Sequence, residues 1–97
     1  MIINADTLIK ELSFKAIRSS GSGGQHVNKV SSKIELSFNL QGSLVLSDAQ
    51  KERLIVTLKN RLTKDLVLML QCDESRSQHK NKTLVTQRFL QLIKGGL

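Results

Sequence analysis

The clearest alternation of apolar and polar positions in the chain runs from Lys33 to Leu40. Ile34, Leu36, Phe38 and Leu40 fall on one side, and Lys33, Glu35, Ser37 and Asn39 on the other. A sustained period of two predicts a strand with one buried and one wet face. Upstream, Leu12, Phe14 and Ala16 alternate with Ser13 and Lys15, which predicts a first strand. The two are expected to pair, with the glycine-rich segment between them as a long connection. Gln41-Gly42-Ser43 reads as a turn, and Leu44 to Leu46 as a further short extended piece.

The period then changes. Ser47 followed by Gln50 is a capping box, so a helix is predicted from about Asp48, with Leu54, Ile55, Leu58 and Leu62 as its apolar stripe. Thr63-Lys64-Asp65 turns the chain into Leu66-Val67-Leu68-Met69-Leu70. This run is apolar at every position and predicts a central strand covered on each side, or a strand flanked by both helices. A last helix is predicted from about Asn81 to Lys94, where Leu84, Val85, Arg88, Phe89, Leu92 and Ile93 recur at helical spacing. Arg88 would sit at the edge of that stripe with its stem buried. Asp73, Glu74 and Ser75 read as turn and cap, and Gly95-Gly96 as the C-cap. The expected fold class is α+β, a small mixed β-sheet packed against two helices in one domain.

Composition narrows the function. With 97 residues, 39% hydrophobic and 24% charged, the chain reads as one soluble domain with a modest core. Three Phe and no Trp or Tyr argue against an RNA surface built on base stacking. The net charge is +7 and is unevenly spread. From Leu12 to Ile34 there is no acidic residue, only Lys15, Arg18, Lys29 and Lys33. From Ser75 to Leu97 there is again none, only Arg76, Lys80, Lys82, Arg88 and Lys94. Clustered like charge marks a polyanion partner. The single cysteine, Cys72, lies in an apolar run and reads as a buried, inert thiol in a reducing compartment. His26 and His79 have no cysteine or carboxylate at ligand spacing, so no metal and no cofactor is expected. The N-terminus reads as no secretory signal and no run reads as a membrane span. A cytoplasmic protein with no membrane partner is the expectation.

The densest chemistry lies between Arg18 and Lys29, where Gly21, Gly23 and Gly24 precede Gln25 and basic residues stand at both ends. Glycines permit positive φ and close approach by another molecule. The dinucleotide fingerprint and the P-loop both fail here because each would need glycine at His26. Taken alone, a Gly/Ser run is most often a plain turn.

The longer string, R-S-S-G-x-G-G-Q-x-V-N-K from Arg18 to Lys29, resembles the Gly-Gly-Gln loop of class I peptide-chain release factors. It is most similar to the small ArfB/YaeJ-like peptidyl-tRNA hydrolases that rescue stalled ribosomes. Arg76-Ser77-Gln78 with Asn81-Lys82 is similar to the family's second block, R-S-Q-x-x-N-[KR], and the likeness runs from about Leu12 to the last helix. Ser22 departs from it, standing where the family commonly has proline, and so frees φ in the loop.

The resemblance implies the release-factor GGQ-domain fold and a catalytic Gly23-Gly24-Gln25. The Gln25 backbone amide would contact the terminal adenosine of the tRNA, and its side chain would keep nucleophiles other than water out. Acid–base work would fall to the substrate's ribose hydroxyl and the ribosome, in a chain with no credible triad or carboxylate pair. Ribosomal RNA contacts are expected from Arg18, His26, Asn28, Lys29, Lys33, Arg76, Lys80 and Lys82, with His26 ordering the loop rather than acting as a base. Ser77, Gln78 and Asn81 could brace the loop or meet RNA, and bracing is favoured. The implied function is codon-independent hydrolysis of peptidyl-tRNA in the peptidyl-transferase centre. The implied partners are large-subunit rRNA and peptidyl-tRNA, and the protein is expected to be a monomer. The alternative is a non-catalytic ribosome- or RNA-binding module whose loop only docks. Residues 1–97 would form the GGQ catalytic domain, without the flexible basic tail that follows it in the rescue factors.

Overall fold

In the computed structural model, which describes residues 3–17 and 32–97, the first two expected strands pair antiparallel. These are β1 (Ser13–Ile17) and β2 (Lys33–Asn39), with Phe14 opposite Leu36 and Ile17 opposite Lys33. Ile34, Leu36, Phe38 and Leu40 are all buried, as the alternation requires. β3 (Val67–Cys72) pairs antiparallel on the far side of β2, with Leu68 opposite Phe38 and Cys72 opposite Ile34. Sheet order is therefore β1-β2-β3.

Two expectations about the sheet need correction. The α+β class holds, but the sheet is antiparallel throughout the described residues rather than mixed. Asn39 pairs with Val67, and the Leu40 N–H donates to the Leu66 carbonyl at 3.1 Å. The excursion through residues 40–66 thus starts and ends at one end of the sheet, and a parallel strand would need a return to the other end. Among the described residues the apolar run is also an edge strand, not the central one. Leu68, Leu70 and Cys72 lie across from buried β2 positions, whereas Met69 stands opposite Ser37 and is exposed. The strand begins at Val67 because Leu66 takes φ 62°, a left-handed turn conformation unusual for leucine.

The capping box forms as expected at α2 (Asp48–Thr57). The Ser47 hydroxyl accepts from the Gln50 N–H at 3.1 Å and the Gln50 side chain accepts from the Ser47 N–H at 2.9 Å. Leu54 and Leu58 are buried, but a 3-10 turn over Lys59–Arg61 ends the stripe early, and Leu62 instead bridges Leu68. Residues 44–46 form no strand. Their N–H groups are taken up by side chains, with the Ser43 hydroxyl accepting from Val45 and Leu46 and the Glu11 carboxylate accepting from Leu44 at 2.7 Å. A short helix, α1 (Ala5–Ile9), precedes β1 and buries Leu8; Asn4 caps it by accepting from the Thr7 N–H. No periodicity could show so short a helix, although Asn4 followed by Asp6 is a cap signal.

The last helix, α3 (Gln78–Gly96), is longer at both ends than expected and is capped by the Ser77 hydroxyl, which accepts from the Lys80 N–H at 3.1 Å. It seats Val85, Phe89 and Ile93 on the sheet, where Phe89 meets Phe38 edge-on at 5.0 Å. Arg88 leaves the stripe to pair with Glu74. Gly95 and Gly96 do not cap the helix but lie inside it. A Cβ on Gly96 would fall 2.7 Å from Thr57 Oγ1 and 2.9 Å from a Leu54 methyl, whereas one on Gly95 would meet nothing within 4 Å. The glycine at 96 lets α3 close on α2, where the Thr57 hydroxyl donates to its carbonyl at 3.0 Å. Gly95→Ala should therefore raise unfolding free energy by roughly 0.5–1 kcal/mol. Gly96→Ala should lower it by about 1–3 kcal/mol through overpacking. Urea midpoints of the two variants test this, and a stable Gly96→Ala would show that the α2–α3 contact yields freely.

Candidate functional site

The chain leaves the sheet at Ile17 and returns at Lys33, two residues that face each other in the β1–β2 pair. The glycine-rich segment is thereby delivered to one end of the sheet. Arg18, Ser22, Gly23, Gly24, Gln25, His26, Asn28 and Lys29 lie outside the described residues. What the structure describes is the base from which they emerge.

That base is built by β3 and the start of α3. β3 ends at Cys72, opposite Ile34 and so beside the foot of the segment; residues 73–76 then turn the chain into the Ser77 cap. One side chain ties these parts together. Asn81 is fully buried, and its amide nitrogen donates to the Ser32 and Ser75 carbonyls, each at 2.8 Å. Its side-chain oxygen accepts from the Ser75 N–H at 2.9 Å and from the Cys72 thiol at 3.5 Å. Both amide hydrogens and both oxygen lone pairs are used. The orientation is unambiguous, because a flipped amide would set its oxygen against two carbonyls. Asn81 therefore has nothing left to offer RNA directly.

Around this buried amide the surface is cationic. Arg76, Lys80 and Lys82 are exposed and Lys33 is half-buried. Among the described residues Arg88–Glu74 is the one ion pair, so these cations have no carboxylate partner there. The first turn of α3 carries no acidic side chain, and the positive end of its dipole adds to the same field. The exposed Lys82 also sets its ammonium 4.6 Å from the centre of the Phe14 ring on β1. Ser77 is engaged as the helix cap, its N–H donating to the Ser75 hydroxyl, and Gln78 opens α3 at the surface. Among the described residues no His, Cys, Asp and Glu side chains gather to hold a metal, and no helix is long and apolar enough to cross a membrane.

Residues 3–95 match the family described as the RF-1 domain. The chain belongs to that family. This RF-1 domain is 39% identical over 83 residues to peptidyl-tRNA hydrolase ArfB of Pseudomonas putida, covering 86% of this chain and 60% of that protein. It is 35% identical over 85 residues to large ribosomal subunit protein mL62 of Mus musculus, covering 88% of this chain and 41% of that one. Against peptide chain release factor 2 of Lactiplantibacillus plantarum it is 34% identical over 80 residues, 82% of this chain and 20% of the other. The chain thus spans 60% or less of the length of each of these relatives. The α+β class expected from the sequence pattern is the one this RF-1 domain has.

Sequence reading favoured bracing for Asn81 without identifying its partners, and it missed the second contact of the RF-1 domain's base. The Lys82–Phe14 contact leaves no local trace. Asn81 did leave one, since it recurs with Val85, Phe89 and Ile93 at every fourth position, in line with the buried stripe. A polar side chain in that stripe must find partners inside the protein.

Proposed function

We propose that this RF-1 domain hydrolyses the ester between a nascent peptide and tRNA in the peptidyl-transferase centre of a stalled ribosome, without reading a codon. The observation that carries the reading is Gly23-Gly24-Gln25 in the connection between the paired residues Ile17 and Lys33 of a cationic domain. The chemistry asks little of side chains. Water must reach the ester carbonyl, and the charge growing on its oxygen must be met. A main-chain donor such as the Gln25 N–H supplies about 2.7–4 kcal/mol of such stabilisation. The substrate's ribose hydroxyl and the ribosome handle protons, and the Gln25 side chain excludes competing nucleophiles.

In this reading Arg18, His26, Asn28, Lys29, Lys33, Arg76 and Lys80 hold the domain against large-subunit rRNA, chiefly through phosphates. The protein works as a cytoplasmic monomer. Peptidyl-tRNA hydrolysis is supported by the 39% identity to peptidyl-tRNA hydrolase ArfB, and codon independence by the resemblance of the Arg18–Lys29 string to the rescue hydrolases.

The test uses ribosomes carrying labelled peptidyl-tRNA in the P site and either no codon or a stop codon in the A site. With the purified protein in excess, peptide should be released in the first case, and a stop codon should not accelerate release. Acceleration by the stop codon would overturn codon independence. Binding without release would favour a docking module, a role suggested by the likeness to large ribosomal subunit protein mL62.

A further inference from the structure

We propose that Asn81 and Lys82 form a two-point clasp that orients the glycine-rich segment, and that Lys82 serves there rather than as a phosphate ligand. The inference rests on the reading of that segment as catalytic. It starts from an asymmetry among the cations at this end of the domain. Arg76 and Lys80 are exposed and have no carboxylate partner among the described residues, whereas the Lys82 ammonium sits over the Phe14 ring. Phe14 is in β1, the strand from which the segment departs, and the Ser32 carbonyl held by Asn81 adjoins β2, the strand to which it returns. Two consecutive residues near the start of α3, the fourth and fifth of the helix, therefore touch the chain on both sides of the segment.

The two contacts differ in strength. Asn81 is a buried amide with every hydrogen-bonding site filled, and removing one partner of such a network leaves the others unsatisfied. Because it grips both the carbonyl of Ser32 and the main chain of Ser75, it sets the segment's return point against the α3 turn, in line with the cationic surface. The Lys82–Phe14 contact is a cation over an aromatic face at a partly exposed site and is the weaker of the two. Neither residue touches the ester. Both act through where they place the segment, so they are positioning residues.

The experiment compares Asn81→Asp, Lys82→Met, Lys80→Met and Leu54→Ala. Asn81→Asp keeps the shape and the acceptors but sets a carboxylate against two carbonyls. Lys82→Met keeps the apolar stem and loses the charge. Lys80→Met reports a genuine phosphate contact. Leu54→Ala destabilises the domain at the opposite end of α3, where Leu54 meets Gly96. For each, kcat and KM for release are measured below the thermal transition, with the slope of ribosome affinity against salt.

Asn81→Asp should lower kcat about tenfold or more with KM within about twofold, the split expected when an oriented group is loosened. Lys82→Met should lower kcat about two- to fivefold with an unchanged salt slope. Lys80→Met should instead raise KM and flatten the slope by about 0.7–0.9. Leu54→Ala should keep its kcat. The clasp is overturned by a folded Asn81→Asp with normal kcat, or by a Leu54→Ala that loses kcat to the same degree. It is equally overturned if Lys82→Met flattens the slope as Lys80→Met does with kcat intact. Should Asn81→Asp fail to fold, Lys82→Met decides. If the wild type releases no peptide, the functional reading falls instead, and backbone amide resonances of residues 18–31 judge the clasp. Their displacement in Asn81→Asp, with those of α2 unmoved, supports it; unmoved resonances end it.

Discussion

Gly24→Ala is expected to reduce peptide release at least about a hundredfold while leaving the urea midpoint of the domain unchanged. The size follows from what a single methyl denies. A Cβ at position 24 disfavours left-handed backbone and would thicken the chain where, in the proposed function, it approaches the tRNA end. If the Gln25 N–H is the donor for the developing oxyanion, misaiming it forfeits the stabilisation such a donor gives, on the order of 10²–10³ in rate. Stability should not change, because the β1–β2 register and the buried core of the described residues are set by side chains other than the one altered. Gln25→Ala makes the informative contrast. Its main-chain N–H survives, so hydrolysis should fall less, while transfer of the peptide to hydroxylamine should rise. Circular dichroism, urea unfolding and release are measured on the same preparations. A folded Gly24→Ala with full activity would remove the segment from the mechanism.

How far the site could be read from the sequence depended on the range of each interaction. The glycine segment is contiguous, so its residues could be read in order. The two-residue alternation of β2 and the Ser47–Gln50 box are equally local, and both appear where expected. Errors arose where distant residues decide. Leu66 to Leu70 carry no mark of whether one or two layers will cover them; that depends on α2 and α3 contributing to one core, with Met69 left outside it. Gly95-Gly96 has the composition of a helix end, yet Gly96 answers to Leu54 and Thr57 on another helix.

The clasp shows the same limit within the candidate site. Ser32 and Asn81 are 49 positions apart, and nothing near either announces the other. Lys82 reads as one more cation in an acid-free window, because charge is visible in a sequence and an aromatic ring above it is not. A basic window can therefore mark the surface that meets a polyanion without showing which of its cations are available to it.

Phe89→Ala should lower unfolding free energy by about 3–5 kcal/mol, the largest stability loss expected from a single truncation in the domain. Phe89 is fully buried at the middle of α3, between the Asn81 network and the Gly96 contact, and meets Phe38 edge-on with 63° between the rings. Its removal costs the transfer of the ring, the cavity left beside Phe38, and the edge-to-face contact. A domain of ordinary stability holds about 5–15 kcal/mol, so the variant should be marginal at 37 °C. Phe89→Leu, which refills most of the space, should lose far less. Urea unfolding should show both midpoints lowered with the slope unchanged, since the native fold and the surface exposed on unfolding stay the same. Release by Phe89→Leu at 20 °C should match wild type, because the ring supports α3 as a whole and not the segment in particular. A Phe89→Ala domain within 1 kcal/mol of wild type would mean that α3 is not seated on β2 through this ring, and the Asn81 grip on Ser32 would then lack its foundation.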